Sequence, residues 1–142
     1  MPDAAITLAL EPLHDTWAAA LTTYKRDGTP VRTAVNIAVE GEKAYFRTPS
    51  RTWKAKRLRN NPEVEIAPSD NRGNPTGPAI KATARLLSGD EEKHAAELID
   101  RKYRITQRYG VRTLHRLLRW QTQHYELTPL VESAPDAQQA AN

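Results

Sequence analysis

Hydrophobic and polar residues alternate with a period of two through PVRTAVNIAV, residues 30–39. Val31, Thr33, Val35, Ile37 and Val39 fall on one face, and Arg32, Ala34, Asn36 and Ala38 on the other. Alternation of this kind marks a strand with one buried face. Residues 17–24 before it are apolar and end in threonines and an aromatic, which suits a buried strand, although the alanines are equally compatible with a helix. Lys25-Arg26-Asp27-Gly28 joins the two runs with an Asp-Gly hairpin signal. Glu40-Gly41-Glu42 is a second tight turn, and residues 43–48 form a third strand, completing a meander. Residues 63–68 (EVEIAP) read as a fourth strand with Val64 and Ile66 on one face, residues 79–87 as a fifth, and 119–127 (RWQTQHYEL) as the last. Between the fourth and fifth, SDNRGNPTGP has the composition of a loop.

Helical periodicity is confined to a few stretches. Residues 4–12 predict a short helix ending near Pro12. Ser88 and Glu91 predict a capping box, opening a helix with Ala95, Leu98, Ile99 and Lys102-Tyr103 on its inner stripe and an end near Gly110. Residues 111–118 allow a further helical piece, with Val111, Leu114, Leu117 and Leu118 apolar. The sum is a mainly β chain with helices, an antiparallel barrel of six or seven strands whose closure satisfies the sheet edges. Residues 1–128 are expected to form one domain, and residues 129–142 a disordered tail.

The stretch FRTPSRTWKAKRLRNNP, residues 46–62, changes the picture from fold to chemistry. A strand runs into a short helix over residues 52–60, stopped by Asn60-Asn61-Pro62. Ser50 or Thr52 can cap it, and Arg51, Lys54, Lys56, Arg57 and Arg59 surround it with cations. A helix N-terminus so dressed binds phosphate-like anions, whereas the plainer use of the same residues is a solvated basic face. Lys54 is expected to face solvent in the empty protein. Spacing pairs Lys54 with Arg57 and Lys56 with Arg59, setting Lys56 and Arg57 on different faces. The chain as a whole has 142 residues, 21 Lys and Arg against 17 Asp and Glu, a formal charge of +4 and a pI near 9.5, which favours anionic ligands. It contains no cysteine, which excludes disulfides and thiolate chemistry. No signal peptide or membrane span is read from it, so a cytoplasmic protein is expected.

The order of a threonine-rich first strand, the turn DGTP, the strands VRTAVNIAV and AYFRT, the segment TWKAKRLRNNP and the strand VEIAP resembles the split β-barrel flavin and deazaflavin oxidoreductases, the pyridoxamine 5′-phosphate oxidase-like superfamily. Within it the chain is most similar to small enzymes that use the deazaflavin coenzyme F420. The resemblance covers about residues 17–127. Its most specific feature is Lys54 eight residues before Pro62, with Leu58 four before it, and the RGNPTGP loop adds to it. It implies an FMN-binding-type split barrel, assembled as a homodimer with cofactor in grooves at the interface. It places Lys54 on the cofactor phosphate, with Thr48, Ser50, Thr52, Trp53, Lys56 and Arg57 around it. Thr33, Val35 and Asn36 would line the ring, Arg32 would also reach phosphate, and Gly77 and Pro78 would approach the ring through backbone. The flavin oxidases have an arginine directly before the lysine; here that position is Trp53, which speaks against ordinary FMN.

Candidate acid–base groups are few. His14, His94, His115 and His124 have no metal-ligand spacing, and His94 and His115 fall on expected helix surfaces, which leaves His124 on the last strand to watch. Trp17, Trp53 and Trp120 read first as core or interface residues; Trp53 and Trp120 could instead flank a ring. Tyr103 and Tyr109 read as packing residues able to donate a proton. No catalytic residue and no metal are assigned. The resulting expectation is hydride transfer between coenzyme F420 and a small organic substrate, the cofactor supplying the chemistry. Beside it stand an FMN-dependent oxidase or reductase, a non-catalytic F420 carrier, and a nucleic-acid-binding barrel. The strands lack the exposed aromatic pairs that stack bases, so no nucleic-acid partner is expected.

Overall fold

The computed structural model describes residues 4–49, 52–103 and 122–130. The three-stranded meander is present as β1 (Ala18–Tyr24), β2 (Pro30–Glu40) and β3 (Lys43–Pro49). The alternative of a helix over the first run is not taken: its alanines alternate between the barrel interior and a covered outer face. The β1–β2 turn closes with Lys25 N–H donating to Thr29 O at 2.9 Å and Gly28 N–H to Lys25 O at 2.9 Å. Gly28 has φ +90°, a conformation other residues reach only with strain, which is why the Asp-Gly signal was informative. Helix α2 (Trp53–Asn60), β4 (Glu63–Ser69), β5 (Ile80–Leu86), α3 (Gly89–Tyr103) and β6 (Thr122–Pro129) follow, and α1 (Ala4–His14) precedes the sheet. The six described strands form a closed barrel in the order β1-β2-β3-β6-β5-β4. Every neighbouring pair is antiparallel, and the β1–β4 pairing from Ala18↔Ser69 to Thr22↔Glu65 seals it.

Alternate residues of each strand build the core. Leu21, Val35, Ile37, Phe46, Val64, Ile66, Tyr125 and Leu127 interdigitate inside the barrel, and Phe46 stacks on Tyr125 with ring centroids 5.0 Å apart. Leu10 and Leu13 of α1 and Leu58 of α2 join this cluster. A second cluster lies outside the barrel, where Ala95, Ile99 and Tyr103 of α3 pack on Ala38 of β2 and Tyr45 of β3. The hydroxyl of Tyr103 ties α3 to the sheet: it accepts from Ile37 N–H at 3.0 Å and donates to Trp17 O at 2.5 Å. The loop over residues 70–78 folds back on the barrel wall, where Gly73, at φ +86°, sits so near Ala34 that a Cβ would come within 3.2 Å of its backbone nitrogen. That contact explains the small residue at Ala34 and supports the turn reading of Gly73.

Several boundaries differ from expectation. Helix α1 runs two residues past Pro12, because burying Leu13 with Leu10 outweighs the one helical hydrogen bond a proline removes. β6 reaches Pro129, past the expected end at residue 127 and the expected domain boundary at residue 128. Ser88 O accepts from Glu92 N–H at 3.4 Å, but the Glu91 carboxylate is held by Arg85 at 2.6 and 3.3 Å, so the reciprocal half of the capping box is not made. The expected helix end near Gly110, the helical piece over 111–118, the strand start at 119–121 and the tail from residue 131 lie outside the described residues. Among the described residues no helix is long and apolar enough to cross a membrane.

Candidate functional site

Helix α2 positions the candidate site. Thr52 is its N-cap, with extended backbone (φ −87°, ψ 157°) and a side-chain oxygen that accepts from Ala55 N–H at 3.2 Å. The same hydroxyl donates to Pro49 O at 2.9 Å and lies 3.4 Å from the Thr48 hydroxyl at the end of β3. At the other end, Asn61 is extended ahead of Pro62 and its N–H closes on Arg57 O at 2.8 Å. Ala55 and Leu58 bury the inner face against the barrel. Arg57 Nε donates to Thr23 Oγ1 at 2.7 Å, locking the helix to the end of β1 and leaving the outer guanidinium nitrogens unengaged among the described residues.

Lys54 departs from expectation. It does not stand out in solvent but is half-buried, because it lies on the flank of α2 between the buried Leu58 and Arg57. Burial pulls its pKa below the ordinary lysine value, and the neighbouring Arg57 charge pulls it the same way. Among the described residues no acceptor holds its ammonium, and it stands within one helical turn of the Thr52 cap and the first free N–H groups of α2. A partly desolvated cation whose resolved charged neighbour is another cation is an arrangement that an anion relieves.

The opposite flank of α2 faces the β1–β2 hairpin across a groove of about 620 Å³. Trp53, Lys56, Arg57 and Asn60, spaced at i, i+3, i+4 and i+7, form one wall; Lys25, Arg26 and Val31 form the other. Lys56 and Arg57 thus share one groove from its two edges, against the expected separation, since residues about 100° apart on a helix can both border a wide cleft. Arg59 lies outside the lining and is exposed. Trp53 is 73% exposed, with the Lys56 ammonium 5.1 Å from its ring centroid. Trp17 is 43% exposed and meets Tyr103 edge-on, so neither indole is a core residue of the single chain.

The other expected site residues are dispersed. Thr48, Thr52, Lys54, Trp53, Lys56 and Arg57 gather around α2, whereas Ser50 lies outside the described residues. Val35 belongs to the barrel core, so it can offer a ring only its backbone. Thr33 points the same way, and its Oγ1 is buried with no hydrogen-bond partner among the described residues. Asn36 is half-buried on the outer face opposite Arg47, and Arg32 is exposed opposite Thr22. Gly77 packs on Pro68, where a Cβ would meet the ring carbon Cγ at 2.8 Å; neither it nor Pro78 lines the groove. Sequence reasoning missed Lys25, Arg26 and Asn60. Their available signal was the pair of cations in a hairpin tip, read only as a turn. It also missed the Arg47–Asp100 pair (2.7 Å) under α3, beside which Arg47 Nη2 is buried with no partner among the described residues. His124 is buried and bonded to Glu92 at 3.1 Å, and exposed His94 meets Glu40 at 2.7 Å.

Known proteins extend this description. An F420 reductase aligns over 92% of this chain and 97% of its own at 18% identity, with a TM-score of 0.59. The haem storage protein HutZ from Vibrio cholerae aligns over 83% and 84% at 16% identity, TM-score 0.60. A protein of unknown function from Agrobacterium tumefaciens str. C58 aligns over 88% of this chain and 53% of its own at 24% identity, TM-score 0.65. At these identities the likeness is one of fold. No curated protein matches the chain. The pyridoxamine 5′-phosphate oxidase family model matches residues 9–127, from the second half of α1 to Leu127 of β6. The chain therefore belongs to the pyridoxamine 5′-phosphate oxidase-like split barrels.

Proposed function

We propose that this protein is an oxidoreductase that holds coenzyme F420 and serves hydride transfer between it and a small organic substrate, with FMN as the alternative cofactor. The observation that carries the reading is Lys54: half-buried, without an acceptor among the described residues, beside Arg57 and the capped N-terminus of α2. A cofactor phosphate there would gain the ammonium and the free N–H groups of the first turn of α2, while the Thr52 hydroxyl stays committed to Pro49 O and the cap. When bound, the deazaflavin supplies the hydride chemistry. The chain's own part is to anchor the phosphate and orient the ring. The structural likeness to an F420 reductase supports F420, and Trp53 in place of the flavin oxidases' arginine speaks against FMN. Haem is the cargo of another similar fold; here the cation-rich, capped terminus of α2 favours a phosphate-bearing cofactor instead. The resemblance also implies a homodimer with the cofactor between protomers, and a small barrel alone offers little cover for a planar ring.

Calorimetric titration of coenzyme F420 and FMN side by side, at low and high salt, tests the assignment. F420 should bind more tightly, because its glutamate tail adds negative charges near a cation-rich helix, and its advantage should shrink as salt rises. Tighter FMN binding moves the protein to the flavin enzymes; binding of neither removes the cofactor reading. Light scattering should give twice the chain mass.

A further inference from the structure

The groove between α2 and the β1–β2 hairpin is a different place from the Lys54 cluster. Lys54 is not among its lining residues and projects from the other flank of the helix. The groove brings together Lys25, Arg26, Lys56 and Arg57, with no carboxylate in its lining. Asp27 is the nearest acid in the hairpin, and its carboxylate is turned to Thr29 N–H at 3.0 Å. Thr23 pins Arg57 through Nε, which holds the rest of its guanidinium ready for an acceptor. Between these cations lies the open indole of Trp53, fixed on the first turn of α2. The volume of about 620 Å³ falls within the range of small-molecule sites, about 300–1,000 Å³.

We propose that this groove is a second binding site, for a planar aromatic ligand carrying two or more negative charges, of nucleotide size. The ring would stack on Trp53, a contact every flat π-face can make, and the anions would reach Lys25 and Arg26 on one wall and Arg57 on the other. A flexible polycarboxylate alone would use the cations but leave the indole facing water, so the ring is part of the assignment. The proposal does not rest on the cofactor reading, since it does not use Lys54.

The test is titration of the intact protein with ADP, followed by tryptophan fluorescence and calorimetry. ADP should bind, and Trp53→Leu should loosen it by about tenfold, as should the Lys25→Ala/Arg26→Ala double variant. Inorganic pyrophosphate should bind at least about tenfold more weakly than ADP, for want of the ring. Lys54→Met should leave the ADP affinity within about twofold, and saturating coenzyme F420 or FMN should not displace ADP. Circular dichroism of each variant guards against loss of fold, and all three substituted residues are exposed. Absence of ADP binding to the native protein overturns the proposal. So does pyrophosphate binding as tightly as ADP, which would reduce the groove to a bare charge cluster. Displacement of ADP by F420, or its loss in Lys54→Met, would merge the groove with the cofactor site and overturn a second site while leaving the cofactor reading intact.

Discussion

Replacing Lys54 with methionine separates a ligand-binding lysine from a structural one. The substitution keeps the unbranched stem that packs on the flank of α2 and removes only the ammonium. In the free protein that ammonium is partly desolvated, has no acceptor among the described residues and lies beside Arg57. Its loss should therefore leave stability within about 0.5 kcal/mol of native. In the complex the same group would make a charge-assisted hydrogen bond to phosphate, worth about 1.5–3 kcal/mol, so cofactor affinity should fall by roughly 10- to 150-fold. The pH dependence has a fixed sign. Lys54's folded pKa lies below its unfolded value, so cofactor affinity should weaken as pH rises through that lowered pKa, and the methionine variant should be flat there. Over the same window the unfolded chain binds the extra proton, so native stability gains slightly with pH, and the variant lacks the gain. Calorimetric titration and thermal melts across pH measure both effects. Lys93→Ala, an exposed cation on α3, is the control and should change neither. Equal small effects from both substitutions, or lost stability with unchanged affinity in Lys54→Met, would refute the phosphate role.

Three further outcomes follow from the fold. Tyr103→Phe removes the hydroxyl that serves Ile37 N–H and Trp17 O, so it should cost about 1–3 kcal/mol, read as a lower melting temperature, without changing secondary structure. Gly73→Ala meets both a φ of +86° and a 3.2 Å approach to Ala34, and should destabilise by more than about 1 kcal/mol in denaturant titration; Gly41→Ala, with open space around it, should cost less. Lys102 donates to Ile37 O at 2.7 Å and Leu13 O at 3.4 Å, contacts that favour the charged form, yet burial wins and pulls its pKa down to about 8. Because that is below the unfolded value, stability should rise as pH goes from about 8 toward the ordinary lysine range, and Lys102→Met should lose that part of the rise.

The barrel was legible because a period of two, read over short runs bounded by turn residues, has few other solutions. Residues 30–39 specified which side chains go inward, and Val35 and Ile37 do so. What the pattern did not carry was the second layer. Nothing in Ala34 of β2 says that Gly73 of a loop will pack on it, and nothing in Tyr103 says that its hydroxyl will reach a sheet N–H 66 residues away in sequence. Such contacts depend on how α3 and the 70–78 loop lie on the outer wall. Strand and helix ends moved for a similar reason: Leu13 is worth burying only once the barrel end exists to receive it.

Local sequence located α2 and its cap, because Thr52, Ala55 and Pro62 act within one or two turns of each other. It could not tell Lys54 from Lys56. The two differ by two positions on a short helix, and only the barrel beneath decides which is drawn toward Leu58 and which stands beside an exposed indole. The same dependence sends Arg57 to Thr23, on a strand 34 residues earlier, and so brings the hairpin cations opposite the helix. A basic stretch that reads as one charge run is thereby divided by packing into two environments. On one flank a half-buried ammonium lacks an acceptor among the described residues; on the other, four cations and an aromatic border an open cleft. An anion relieves the first without filling the second. Arg57 borders both environments, so they are told apart by Lys54 on one flank and Trp53 on the other, and it is this division by packing, rather than the number of positive charges, that gives the basic helix the means to discriminate between ligands.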